Sequence, residues 1–259
     1  MMSLTLSHLL AALTNQASSA AVAEPGPAIS TVVVDSRQVV PGAVFVALRG
    51  ERTDGHSFVT DALRRGAVAA IVEQDVVSEA ECWPVDTRAF TFQRSASPLT
   101  LPPAGRPLVL RVENSLQALQ TWAASWRATV AAASGLRVIG ITGSVGKTST
   151  KESVAAVLGQ RFATLKSVGN QNNEIGVPLT LLRLTATDQR AVIEMGMYYP
   201  GDIALLARLA QPQIGVITNV GPVHLERAGS IERIAQAKAE LIEALPANGV
   251  AILNRDDPL

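Results

Sequence analysis

The 259-residue sequence is 47% hydrophobic and carries 22 Lys and Arg against 22 Asp and Glu. That length and apolar content can fill two modest cores, and the zero formal net charge excludes bulk attraction to nucleic acid or an anionic membrane, so an anionic ligand has to be held locally. The single Cys82 excludes an intrachain disulfide framework, no Cys/His cluster suggests structural zinc, and a reducing cytoplasm suits the composition.

Met1 to Leu13 has no Lys or Arg ahead of its apolar residues, which argues against a secretory signal, and Leu4, Leu6, Leu9, Leu10 and Leu13 are spaced as the buried side of a short helix. Short β-rich runs follow at Thr31 to Val34, Ala43 to Leu48 and Ala67 to Val72, with a helical stretch at Phe58 to Arg65; together they read as a small α/β domain. None approaches the roughly 20 apolar residues that span a bilayer, so no membrane insertion is expected. Ser95 to Pro107 contains Pro98, Pro102, Pro103 and Pro107, which excludes helix and central strand. The linker is therefore placed there, with domains at 1–107 and 108–259. Ser115 to Ala133, with Leu116, Leu119, Trp122 and Trp126 at helical spacing, predicts a helix leading into the second domain.

From Leu136 onward, strands at Arg137 to Thr142, Ala191 to Glu194, Ile214 to Asn219 and Val250 to Asn254 alternate with helices near Thr150 to Phe162, Ile203 to Ala210 and Ile231 to Leu245. This alternation predicts an α/β domain with a mostly parallel sheet flanked by helices. Ligands of such sheets gather beyond the carboxyl ends of the strands.

The first of these strands runs into Thr142-Gly143-Ser144-Val145-Gly146-Lys147-Thr148-Ser149. The glycines let the backbone wrap a phosphate, and the helix that follows directs its free N–H groups at the charge. Lys147 suits the β and γ phosphates, and the Thr148 hydroxyl suits Mg²⁺. The longer form of the motif opens with a Gly where this chain has Ile141, so the match is to the shorter Gly-x-x-Gly-Lys-Thr form. Glu194 closes an apolar run where a carboxylate can hold Mg²⁺ directly or through water, although a solvent-facing strand end explains a lone Glu as well. His224 follows a strand through Val220-Gly221-Pro222-Val223; a lone loop His is more often structural than catalytic.

With these residues in view, the sequence resembles the Mur ligase family, whose members form an amide bond by way of an acyl phosphate. The resemblance covers essentially the whole chain. It is carried by 142–152, by Gly169-Asn170-Gln171-Asn172-Asn173-Glu174-Ile175-Gly176-Val177-Pro178, by Glu194-Met195-Gly196, by 219–226, by Ala237-Lys238-Ala239-Glu240 and by Asn254-Arg255-Asp256-Asp257-Pro258. Within the family, Thr150-Lys151-Glu152, the Asn172-Asn173 block and Glu194-Met195-Gly196 followed by Gly201-Asp202-Ile203 look most like the members that add D-alanyl-D-alanine.

The resemblance implies a P-loop ATPase domain in which Gly143, Ser144, Val145, Gly146, Lys147, Thr148 and Ser149 hold ATP and Asn254 and Asp257 meet the adenosine. It makes Lys147, Glu194, His224 and Lys238 catalytic, with Thr148, Glu194, His224 and a carbamylated Lys238 as ligands of Mg²⁺. Carbamylation needs a neutral amine, which burial favours; by sequence alone Lys238 is an exposed helix lysine paired with Glu240 or Glu243. Ser36 and Arg37 of Asp35-Ser36-Arg37, with Asn172 and Asn173, are implied contacts of the UDP-linked substrate, Arg37 through paired donors. Without the resemblance they read as a turn with a surface ion pair and an Asn-rich turn. His56 reads as structural.

The implied reaction is phosphorylation of the terminal carboxylate of UDP-N-acetylmuramoyl-tripeptide by ATP, then attack by the amine of D-alanyl-D-alanine, in the cytoplasm. Family members continue into a third domain, so a chain ending at Leu259 is expected to keep the nucleotide and UDP-substrate sites and to need a separate C-terminal domain as partner for turnover. Two further readings stay open: a sibling ligase adding a diamino acid to the muramoyl dipeptide, and a non-catalytic nucleotide-binding module. A folate ligase is disfavoured by Asp35-Ser36-Arg37.

Overall fold

Alternation of β-branched runs with amphipathic helices produces two parallel sheets. The computed structural model describes residues 2–14, 26–75, 83–86, 105–223, 226 and 229–259. It divides into two compact units, Met1–Trp126 and Arg127–Leu259.

The first unit opens with α1 (Leu6–Thr14), whose Leu6, Leu9 and Leu10 are buried at helical spacing. Its sheet contains β1 (Val32–Val33), β2 (Val44–Val46), β3 (Ala69–Val72), β4 (Trp83–Asp86) and β5 (Leu108–Arg111) in the order β1-β2-β3-β5-β4, all pairs parallel. The crossover between β2 and β3 carries α2 (Val59–Arg64), which packs Val59, Ala62 and Leu63 against Phe45, Ala70 and Val72. His56 precedes this helix and is structural, as expected: its buried ring accepts the Glu73 N–H at Nε2 (2.8 Å), and its Nδ1 lies 2.6 Å from Asp54 Oδ1.

The boundary expected at 107 falls elsewhere. β5 pairs with both β3 and β4, burying Leu108 and Leu110, so the first unit continues past 107. The division comes inside the long helix α3 (Ser115–Ser134), between Trp126 and Arg127. Three apolar residues flanked by Pro107 and Arg111 were too short a signal against the prolines before them. Residues 95–104 of the proposed linker lie outside the described residues.

In the second unit, β6 (Arg137–Thr142), β7 (Thr164–Lys166), β8 (Arg190–Glu194), β9 (Ile214–Ile217) and β10 (Val250–Leu253) form a sheet of order β10-β9-β6-β8-β7, again wholly parallel. The helices are α4 (Lys147–Leu158), α5 (Gly176–Leu181), α6 (Asp202–Ala210) and α7 (Ile231–Glu243). Val138 to Ile141 and Ala191 to Ile193 are buried as continuous runs, the pattern of central strands covered on both faces. The chain leaves β6 for β7 and β8 on one side, then returns to β9 on the other, making the end of β6 the topological switch point. α4 packs Ala155, Val154 and Leu158 on Ile139, Ile141, Val192 and Val216.

On another part of this sheet, two glycines let α7 approach closely. Gly140 and Gly215 are register partners in β6 and β9. A Cβ at Gly140 would stand 2.8 Å from Leu241 Cδ1, and one at Gly215 would stand 3.2 Å from Leu241 Cγ. Among the described residues, no helix is long and apolar enough to cross a membrane.

Candidate functional site

Beyond β6 the chain enters a turn that only glycine permits. Gly143 has φ 146°, and a Cβ there would lie 1.9 Å from Thr218 Oγ1; Gly146 has φ 86° and opens α4 without a side-chain cap. The N–H groups at the start of α4 therefore have no partner within the helix, which begins its ladder with Thr150 N–H to Gly146 O at 2.9 Å. A concave backbone ending in such a helix start is an anion cradle.

The neighbouring strand end braces the loop. Ser144 N–H donates to Asn219 O (3.0 Å), and Val145 N–H donates to Asn219 Oδ1 (3.0 Å). The Ser144 hydroxyl donates to Gly221 O and accepts from Gly221 N–H. Ser144 and Val145 thus tie the loop to the segment after β9. Gly143, Gly146, Lys147, Thr148 and Ser149 line the cradle, with Thr148 and Ser149 exposed.

Glu194, at the end of β8, is buried at 2% exposure and held from several sides. Thr148 Oγ1 donates to its Oε2 (3.0 Å), Asn172 Nδ2 donates to Oε1 (2.9 Å), and its backbone N–H reaches Ser167 Oγ (3.1 Å). It is not a solvent-facing strand end. A hydroxyl and a carboxylate converging at the mouth of a phosphate loop are hard oxygen donors of the kind Mg²⁺ takes, so the residues fit that ion. Among the described residues, no group of three or more His, Cys, Asp or Glu could hold a metal. His224 lies outside the described residues.

Lys147 folds back onto the loop, donating to Gly143 O (2.8 Å). Burial lowers its pKa, with Glu194 opposing the shift. Lys238 on α7 is buried at 3% exposure, which overturns the picture of an exposed helix lysine. Its supposed partner Glu240 instead accepts Gly201 N–H (2.7 Å) and Ala204 N–H (2.9 Å) at the start of α6. Burial, and secondarily the charge of Lys147, push the Lys238 pKa down to about 8.

Sequence reasoning passed over Lys151 as a site residue. It is fully buried one helical turn beyond Lys147, with Nζ 3.6 Å from Glu194 Oε2, 3.3 Å from Glu152 Oε1 and 3.2 Å from Gly169 O. Its spacing of four from Lys147 was the available signal, because it puts both ammonium groups on one face of α4.

Further residues are distributed around this centre. Asn172 belongs to it through Glu194, but Asn173 caps α5, its Oδ1 accepting Gly176 N–H (2.8 Å). A cleft of about 520 Å³ beside it is lined by Asn219, Val220, Ala239, Asn254 and Asp257, with apolar walls from Ile217, Ile242 and Leu253. Asp257 shapes the cleft by accepting Val220 N–H (2.6 Å) and Leu259 N–H (3.0 Å), bonds that lower its pKa. In the first unit, Arg37 is 84% exposed in its side chain and pairs with Asp35 (2.7 Å), while Ser36 is buried in the same turn. In this structure that turn carries a surface ion pair.

Residues 28–127 match the family model described as Mur ligase family, catalytic domain, and residues 141–259 match that of the Mur ligase middle domain. A UDP-N-acetylmuramoyl-tripeptide–D-alanyl-D-alanine ligase of Synechocystis sp. is 43% identical over 231 residues, covering 89% of this chain and 45% of the relative. Among solved structures, MurF from Acinetobacter baumannii superposes with TM-score 0.77 at 30% identity over 100% of this chain and 50% of that one. MurF from Thermotoga maritima in complex with ADP gives 0.70 at 36% identity, over 88% and 46%. The chain spans about half the length of these relatives.

Proposed function

This chain belongs to the Mur ligase family, and we propose that it is the nucleotide- and UDP-substrate-binding part of an ATP-dependent ligase that adds D-alanyl-D-alanine to UDP-N-acetylmuramoyl-tripeptide. The observation that carries the reading is the convergence of Thr148 and Glu194 (3.0 Å) on the glycine cradle after β6. The names of the relatives supply the substrates, and the ADP held by the Thermotoga maritima protein supports a nucleotide here.

In this reading the triphosphate rests on the N–H groups at the start of α4, and Lys147 leaves the Gly143 carbonyl to meet the β and γ phosphates. Thr148 and Glu194 would hold Mg²⁺, with His224 as a further ligand, and the ion would supply charge neutralisation at the transferred phosphoryl group. A carboxylate is a poor electrophile, and acyl phosphate formation gives it a leaving group. The amine of D-alanyl-D-alanine then attacks, the new C–N bond forms, and phosphate departs. No side-chain nucleophile is required. Lys238, buried and repelled by Lys147, gains a favourable charge once carbamylated. Asn254 and Asp257 border the adenosine in the 520 Å³ cleft. Ser36 and Arg37 bind the uridine diphosphate, for which Arg37 must exchange Asp35 for phosphate oxygens. In this reading the incoming amine is received beyond the part of the ligase that this chain spans, and the reaction is cytoplasmic.

Calorimetric titration tests this with UDP-N-acetylmuramoyl-tripeptide, the corresponding dipeptide and a folate, each in Mg²⁺ with a non-hydrolysable ATP analogue. Selective binding of the tripeptide is expected. Preference for the dipeptide would move the assignment to the sibling ligase, and nucleotide binding without any muramoyl ligand would leave a nucleotide-binding module.

A further inference from the structure

We propose that Lys151 is a positioning residue whose ammonium is the resident counter-charge of Glu194, so that a divalent ion is taken up together with nucleotide and only weakly before it. This rests on the metal-site reading of Thr148 and Glu194 and adds a residue that reading does not use.

The Lys151 side chain is 1% exposed and that of Glu194 is 2% exposed. An ammonium has three N–H donors, and three oxygens surround this one: Gly169 O, Glu152 Oε1 and Glu194 Oε2. Glu152, half exposed, is shared with Lys166 of β7, so Glu194 is the buried partner that most needs the charge. Burying either member without the other is costly, which fixes both in place. The contact to Gly169 also ties α4 to the loop that carries Asn172, the donor to the other oxygen of Glu194.

This geometry has a consequence for metal uptake. A divalent ion joining Thr148 and Glu194 meets a buried positive charge on the Oε2 side of the carboxylate. Like charges repel strongly where water is excluded. With Glu194 already balanced by Lys151, net negative charge for the ion must come from the phosphates of the nucleotide. Lys147 is half-buried and, among the described residues, donates to the loop carbonyls of Gly143 and Ser144, bonds it can exchange for those phosphates.

Paramagnetic resonance titration of the full chain with Mn²⁺ tests the proposal, with and without a non-hydrolysable ATP analogue. Lys151→Met is expected to bind Mn²⁺ alone at least about tenfold more tightly than the original chain and to lose most of the coupling to nucleotide. Lys151→Arg, which keeps the charge, is expected to behave like the original. Thermal melts give a second readout: Lys151→Met should melt lower without metal and recover in saturating Mn²⁺, because an ion bound to the native state stabilises it. Unchanged Mn²⁺ affinity in folded Lys151→Met overturns the proposal. So does an unfolded Lys151→Met that Mn²⁺ does not restore, or a Lys151→Arg that behaves like Met. Glu194→Gln separates the two readings. If it retains Mn²⁺–nucleotide coupling, the metal-site reading itself fails; if it loses coupling while Lys151→Met matches the original chain, only the role of Lys151 fails.

Discussion

Lys238 shows how one side chain couples stability to pH. Its folded pKa of about 8 lies below the ordinary 10.5, so between those values the unfolded chain binds the proton more tightly and stability rises with pH. Below about 8 the burial penalty is present in full. Lys238→Met is therefore expected to be more stable than the original chain at pH 7, by on the order of 2 kcal/mol. The two should converge as the pH passes the ordinary lysine value. Urea unfolding at pH 7 and at high pH checks this; a Met variant that is less stable at pH 7 would show that the ammonium has a compensating partner. Gly143 makes a complementary case. Ala at this position places a methyl group against Thr218 Oγ1 at a φ that L residues rarely adopt. Gly143→Ala should cost at least about 2 kcal/mol and weaken nucleotide binding, measured by melts and calorimetry. The importance of Gly143 was legible from its place in the motif, whereas the burial of Lys238 was not. Helical spacing puts Lys238 on a face of α7 but cannot say how near that face comes to the sheet.

At the scale of elements, that distance is set by the glycine pair. Gly140 and Gly215 leave space for Leu241, and Lys238 lies three residues before Leu241 on the same side of α7. Gly140→Ala should push α7 outward and cost about 1–3 kcal/mol. It should also raise the Lys238 pKa towards its ordinary value as water reaches the amine. The double variant Gly140→Ala/Leu241→Ala should recover the helix position, and NMR titration of the Lys238 amine distinguishes the two; an unchanged pKa in Gly140→Ala would detach the lysine's environment from the glycines. A strand glycine with no turn role carries no pattern of its own, so this contact could not be read from sequence. The same limit applies to β4, β5 and β7, three or four residues each, which are too short to show alternation. The long buried runs of β6 and β8 and the amphipathic stretches of α6 and α7 were legible because tertiary burial and local pattern agree there.

Across the whole molecule, zero formal net charge sharpens what the local site must do. No bulk field draws a nucleotide in, so affinity has to arise from the cradle, Lys147 and the metal donors, which are partly enclosed and weakly screened by salt. Raising KCl from about 0.05 to about 0.5 M should therefore change the affinity for the ATP analogue by less than about tenfold; a steeper loss in calorimetry would place the main contacts on the open surface. The span of about half the relatives' length adds a second test. In the proposed reading, the acyl phosphate is assembled on residues of this chain while the incoming amine is received by a further domain. Adding the C-terminal half of a relative in trans should then release ADP over repeated turnovers only when UDP-N-acetylmuramoyl-tripeptide, D-alanyl-D-alanine and Mg²⁺ are all present, and Lys147→Met should abolish that turnover. A binding module would take up nucleotide and give no ADP under any of these combinations. The distinction lies in chemistry rather than affinity, since Glu194 and Lys238 are buried ionisable groups with a physical cost, which simple retention of a nucleotide would not require.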